Sequence, residues 1–350
     1  MVHRSARDDP GDADRPLTIG ELGEFPLIDQ LTARLGPPRA DTLVGAGADD
    51  AAVLRLPGGG LQLATIDSQV AGVHFLLDDT PPEDLGRKAA AINLSDIAAM
   101  GGRPTHALAV LAAPADLPVD FVLRLVDGLS AELARWGADL AGGNLTRHDG
   151  IVLDLALLGE VEPEALLLRS GARPGDAVLV TGHLGAAAAG VVLLTGPPTD
   201  VATAAAELVV ARQRTPEPRL DVAALLGPNG ATAAIDISDG LAADAGHVCE
   251  RSGVGMRLEA ARLPIHPSTR AVAEAAGRDA LEWALAGGED YELLFTAPPA
   301  RVFDVQAAVA RATGIDVTVI GEVTATPERL LVRPDGGTTA LAGGWRHFGC

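Results

Sequence analysis

The sequence predicts an α+β (mixed α/β) protein of two domains, and three observations carry that prediction. Helix-type and strand-type apolar patterns alternate along the chain. A turn-rich connection, Pro163 to Asp176, separates two such series. The 350 residues, 47% of them apolar, are enough for a sizeable core on each side of it. The expected division is a disordered tail over residues 1–17, a first domain over 18–163 and a second over 164–350.

Taken in order, Ile19 to Leu35 places Leu22, Phe25, Leu27, Ile28 and Leu31 near helical spacing. Ala51 to Leu56 and Leu61 to Asp67 flank Pro57-Gly58-Gly59-Gly60 and read as a hairpin. Asp84 to Met100 reads as a helix stopped by Gly101-Gly102. Thr105 to Ala112 predicts a strand, Asp120 to Trp136 a helix and Ile151 to Val161 a strand. After the connection, the strand Ala177 to Thr181 turns through Gly182-His183-Leu184-Gly185, which resembles an anion-binding turn, into a helix over Ala186 to Leu194. The strand Thr232 to Ile237 passes through Ser238-Asp239-Gly240 into a helix over Leu241 to Arg251. Asp290 to Thr296 and Val317 to Val323 are further strands.

Composition removes several function classes. A net charge of −20 argues against nucleic acid and anionic membrane as partners, since both need basic footprints. It leaves nucleotide substrates open, because divalent cations carry positive charge into a site. Lys88 is the only lysine and stands in no Walker-type loop or protein-kinase signature. Cys249 and Cys350 are isolated, which fits a reducing compartment and neither a disulfide framework nor a zinc site. Met1 to Pro16 has no apolar core to read as a signal peptide, and the apolar run Gly185 to Leu194 is too short to span a bilayer. The protein is expected to be soluble and cytoplasmic.

Function is written in acidic side chains set in short, often Gly-rich frames. Asp49-Asp50 precedes a strand and, taken alone, reads as an ordinary turn pair. Asp67 ends an alternating strand on its Leu61-Leu63-Thr65 face. Asp96 stands late in an apolar helix, the unfavourable end for an anion, so it is either a cation ligand or an exposed residue on a small-residue face. Asp236, Ser238 and Asp239 converge at a strand-to-helix turn, where α/β folds gather ligands. An N-cap role explains Ser238 or Asp239 but not Asp236. Gly287-Gly288-Glu289-Asp290 joins a helix to a strand beside Tyr291, the only tyrosine. Such a set suits several Mg²⁺ ions held against a polyphosphate, because Mg²⁺ takes one or two carboxylates together with phosphate oxygens.

In this order the frames resemble the thiamine-monophosphate kinase family, of the aminoimidazole ribonucleotide synthetase-like superfamily. The matching stretches are Asp49 to Val53, Asp67 with Ala71-Gly72-Val73-His74-Phe75, Asp84 to Ala89 running on to Asn93 to Gly101, Arg169 to Asp176, Ile235 to Leu241 and Gly287 to Leu293. The resemblance implies phosphorylation of thiamine monophosphate to thiamine diphosphate by ATP with Mg²⁺. It also implies an N-terminal domain whose mixed sheet pairs two copies in a homodimer, and a C-terminal α/β sandwich. Carried across, Asp50, Asp67, Asp96, Asp236 and Asp239 bind Mg²⁺, with Asp96, Asp236 and Asp239 closest to the reaction. Arg169, Ser238, Gly143 and Asn144 meet ATP, and His74, Glu289 and Trp345 hold the thiamine end.

Three positions depart from the family pattern. Gly142-Gly143-Asn144-Leu145-Thr146 stands where Gly-Gly-Asp-Thr-Thr is usual, so Asn144 offers a metal a carbonyl oxygen without a charge. Ala48 stands where a glycine usually precedes the Asp pair, and Ile66 where a threonine usually precedes Asp67. Two alternatives share the architecture: an ATP-dependent synthetase, and a nucleotide-binding homologue with activity reduced through Asn144.

Overall fold

The computed structural model describes residues 17–197 and 199–345. They fall into two bodies, within Met1–Pro37 and within Pro38–Trp345. The tail expected over residues 1–17 lies, Leu17 apart, outside the described residues. In the first body the single helix expected over Ile19 to Leu35 is two, α1 (Ile19–Leu22) and α2 (Glu24–Arg34). Thr18 and Glu21 form a reciprocal capping box, and Gly23, at φ 83°, ends α1 before the apolar repeat can carry through.

The second body holds two mixed sheets. The first is six-stranded, ordered β1 (Thr42–Val44), β2 (Ala52–Arg55), β3 (Leu61–Val70), β6 (Val152–Val161), β4 (Arg103–Ala113) and β5 (Asp139–Arg147). Only β4 and β5 run parallel within it. Strict alternation along β6 buries Leu153, Leu155, Leu157 and Val161, which is why the sequence pattern there reads cleanly as a strand. The hairpin of β2 and β3 forms as the sequence predicts. β5 went unread because it is an exposed edge strand whose Gly-Gly-Asn centre gives no alternation.

Two helices cover one face of this sheet, α3 (Pro82–Ala99) and α4 (Val119–Arg135). α3 opens with Pro82 and the acidic Glu83 and Asp84, and closes at Gly101, φ 71°. It is buried almost all round, because α4 packs against it through glycine. A Cβ on Gly86 would lie 2.0 Å from the Leu125 carbonyl, and one on Gly128 2.1 Å from the Glu83 carbonyl.

The second sheet has seven strands, ordered β13 (Thr338–Ala340), β12 (Arg329–Val332), β9 (Gly255–Glu259), β11 (Val317–Thr324), β7 (Ala177–Thr181), β10 (Leu293–Ala297) and β8 (Ala233–Asp236). Its helices are α5 (Ala186–Thr195), α6 (Thr203–Arg214), α7 (Leu220–Leu226), α8 (Leu241–Ser252), α9 (Pro267–Ala275), α10 (Ala280–Ala286) and α11 (Val302–Thr313). The strand expected from Asp290 starts only at Leu293, because Glu289 and Tyr291 take positive φ (57° and 48°), which no strand accommodates. One apolar core runs from the first sheet and α3 through α7 and into β7 and β10, so α3 touches both sheets.

Candidate active site

α3 carries one wall of the site. Late in its run, Asp96 accepts a hydrogen bond from the Thr65 hydroxyl at 2.5 Å, and Ser95 donates to Asp236 Oδ2 at 2.7 Å. Asp236 ends β8 and is 2% exposed. Asp50, just before β2, is bonded by the Arg169 guanidinium, while the Arg169 backbone N–H donates to Asp49 Oδ2 at 3.1 Å. One carboxylate oxygen from each of Asp50, Asp96 and Asp236 lies within 4.8 Å of the others. Chain segments far apart in sequence thus converge on one small volume.

Electrostatics defines what this volume needs. Burial first, then repulsion from Asp50, pushes Asp236 up to about 8. Asp96 is raised well above the usual carboxylate range by burial and by the charges of Asp67, Asp236 and Asp50. Asp49 rises to about 7 through burial and Asp50. Near neutral pH, carboxylates held this way keep part of their protons unless cations join them.

The donor set fits Mg²⁺. All three groups are oxygen donors, and Asp50 Oδ2 is buried without a hydrogen-bond partner. Oxygens sharing one Mg²⁺ at about 2.1 Å are at most about 4.2 Å apart, so a small closure of the cluster suffices.

The other expected site residues sit as follows. Asp67 belongs to the cluster through its charge on Asp96 and Asp236. Asp239 lies in the β8–α8 turn and groups with Asp244 and His247, one ligand atom from each within 4.8 Å. Sequence reading missed those two, although their i, i+3 spacing on a helix was visible. Ser238 shares the turn, and its carbonyl accepts the Glu289 N–H at 2.7 Å. Tyr291 N–H likewise bonds the Ile237 carbonyl at 2.9 Å, so the Gly-Gly-Glu-Asp segment is zipped to the Ile237-Ser238 turn. The positive φ of Glu289 and Tyr291 is the strain of that junction. Trp345 N–H bonds the Asp239 carbonyl at 2.9 Å, and its side chain is half exposed.

His74 Nδ1 accepts the Val70 N–H at 3.0 Å. Lys88, which sequence reading left without a role, is 1% exposed, with Nζ 2.6 Å from Glu289 Oε1. The turn Gly182 to Gly185 does hold an anion, but it is internal: Asp290 accepts the Gly185 N–H at 2.8 and 3.0 Å. Gly143 and Asn144 lie on the exposed edge strand β5. Across the sheet Asp67 aligns with Leu155, Ala109 and Gly143. Three strand spacings, about 14 Å along the sheet, therefore separate Gly143 from Asp67. A Cβ at Gly143 would lie 1.9 Å from the Ala109 carbonyl, so packing alone requires glycine there.

Comparison with known proteins places this architecture. Residues 48–161 match the N-terminal domain, and residues 173–332 the C-terminal domain, of AIR synthase related proteins. The class is therefore that of the two-domain AIR synthase related proteins. Thiamine-monophosphate kinase of Mycobacterium tuberculosis strain H37Rv is 37% identical over 333 residues, 95% of this chain and 93% of the relative. The Escherichia coli K12 enzyme of that name is 37% identical over 93% of this chain and 98% of its own. The chain belongs to the thiamine-monophosphate kinase family. Among solved structures, one described as AaThiL complexed with AMPPCP and TMP is 34% identical, covers 95% of this chain and 99% of its own, and has a TM-score of 0.83. Thiamine-monophosphate kinase from Stenotrophomonas maltophilia K279a is 36% identical, with 91% and 98% coverage and a TM-score of 0.73. Hydrogenase maturation protein HypE, 18% identical in complex with ATP at a TM-score of 0.66, shares the fold.

Proposed function

We propose that this protein transfers the γ-phosphoryl group of ATP to thiamine monophosphate in a Mg²⁺-dependent reaction, giving thiamine diphosphate and ADP. The observation that carries the reading is the buried oxygen cluster of Asp50, Asp96 and Asp236, set in a chain related along nearly its whole length to kinases of that name. An anionic phosphate oxygen of the acceptor forms the new bond to the γ-phosphorus. The bond to the β–γ bridging oxygen breaks, and ADP leaves with its electron pair. No proton has to be taken from the acceptor, so the cluster needs no general base. The task is to hold two polyanions together.

Asp50, Asp67, Asp96 and Asp236, with Asp239, would hold Mg²⁺. When bound, the ions supply charge neutralisation and orientation of phosphate oxygens. Thr65 and Ser95 fix the Asp96 and Asp236 carboxylates, and Arg169 fixes Asp50. We assign Arg169 and Ser238 to ATP, and His74, Glu289 and Trp345 to the thiamine end. Gly143 and Asn144 reach the nucleotide from the strand edge.

The partner we propose is a second copy, paired through the open face of the first sheet. Ile66, Ala156 and Leu108 form one row across that face, with Ile66 67% and Leu108 51% exposed. Such a row is costly in water, and a light-scattering mass near twice 35.7 kDa is expected. The −20 charge supports a soluble enzyme without nucleic-acid or anionic-membrane partners, and the isolated Cys249 and Cys350 support a cytoplasmic one. No helix among the described residues is long and apolar enough to cross a membrane.

Incubation with ATP, Mg²⁺ and thiamine monophosphate tests the reading. Thiamine diphosphate forms with ADP if it holds. ADP alone would point to a synthetase, and binding without turnover to a homologue limited by Asn144.

A further inference from the structure

The chain's single lysine lies inside the protein, against the segments assigned to the thiamine end. Lys88 Nζ meets Glu289 Oε1 at 2.6 Å and donates to the His74 backbone carbonyl at 3.3 Å. The Lys88 side chain is 1% exposed and that of Glu289 26%, so the open side of the pair belongs to the carboxylate. An ammonium this deep is kept out of water only where its partners are fixed. The partners come from two separate segments: the loop after β3 that carries His74, and the positive-φ junction that carries Glu289. Two turns further along α3, Ser95 bonds Asp236. Residues seven apart share a helix face, so one face of α3 reaches Glu289 and His74 at one end and the acidic cluster at the other.

We propose that Lys88 is a positioning residue for the acceptor: its buried ammonium ties Glu289 and the His74 loop at a set separation and thereby selects the thiamine moiety. This rests on the kinase reading, in which Glu289 and His74 hold that moiety. The ion pair engages one carboxylate oxygen of Glu289 and steers the group toward the open site. A residue acting this way governs the grip on thiamine monophosphate and leaves ATP untouched. Arginine elsewhere would not substitute, since its planar fork does not present the compact three-donor head that two such partners share.

Two measurements test it. In Lys88→Met, KM for thiamine monophosphate should rise about tenfold or more, the loss typical of a charged hydrogen bond, while KM for ATP stays within about twofold. Adding Glu289→Gln to Lys88→Met should raise it little further, because the two residues act as one unit. Equal rises in both KM values, or no rise in either, overturn the proposal. The second measurement uses the wild-type protein, so it stands even if Lys88→Met does not fold. Protein labelled with ¹³Cε, ¹⁵Nζ-lysine carries one labelled side chain. Its resonance should move on adding thiamine monophosphate and stay on adding the non-hydrolysable ATP analogue AMPPCP with Mg²⁺. No movement with thiamine monophosphate, or movement with the analogue alone, overturns the proposal. Wild-type protein that makes no thiamine diphosphate would instead remove the kinase reading, and this assignment with it.

Discussion

Asp236 ends β8 with 2% of its surface exposed, held by a serine 141 residues earlier in the chain. Its carboxyl is pushed up to about 8 because burial and Asp50 both oppose its charge. Replacement by Asn removes that charge and keeps the shape. Turnover should fall on the order of a hundredfold or more, the scale for losing one preorganised charge-stabilising group. The metal-free protein should melt higher than wild type, and thermal melts in EDTA beside the kinase assay check both halves. A variant that loses activity and melts lower would mark Asp236 as structural only. Carboxylates of this kind were legible in the sequence, because a charge in an apolar frame demands a partner. Thr65, Ser95 and Lys88 had no assigned role there, since their meaning lies in contacts made only after folding. Asp244 and His247 had a local signal, but it was one i, i+3 pair inside the helix expected over Leu241 to Arg251.

At the level of elements, α3 is the piece that joins the first sheet, the acidic cluster and the segment that carries Glu289. Its fit to α4 depends on Gly86 and Gly128. Gly128→Ala should destabilise the protein by about 1–3 kcal/mol, the usual cost of overpacking, seen as a lower denaturant midpoint with an unchanged slope. An unchanged midpoint would mean that the helices can part without cost. Long segments such as α4 and β6 were readable from the sequence because periodicity and burial coincide there, and α3 because Gly101-Gly102 marks its end. The break at Gly23 was not, since the apolar repeat continues past it. Nor was the late start of β10, where pairing of the 287–291 segment with the Ile237-Ser238 turn overrides a strand-like sequence. β5 has no buried face and so left no pattern.

Across the whole molecule, buried acids give the metal-free protein an unusual pH response. Asp49 and Asp290 are raised to about 7 and Asp236 to about 8 in the folded chain, well above the ordinary carboxylate range. The folded state therefore holds protons that the unfolded chain has already lost. Stability from these groups is present at low pH and is lost as pH climbs through their folded values. Buried His247, lowered to about 4, acts in the opposite sense, but its contribution is complete near 6.5. Between about pH 6.5 and 8.5 the melting temperature in EDTA should thus fall, and saturating Mg²⁺ should flatten the slope, because bound cations replace the protons. A rise over that window in EDTA would contradict the assigned burial.

The two-domain architecture and the order of the acidic frames could be read before any coordinates, because each frame pairs a turn with a charge. The gathering of Asp50, Asp96 and Asp236 could not, because proximity between distant chain segments leaves no local trace. The most direct test of the account is a ³¹P NMR time course of wild-type protein with equimolar ATP and thiamine monophosphate, run with Mg²⁺ and again in EDTA. The account predicts that thiamine diphosphate and ADP grow together in equal amounts with Mg²⁺ and that neither forms in EDTA. Thiamine diphosphate appearing in EDTA, or ADP appearing alone with Mg²⁺, would contradict it.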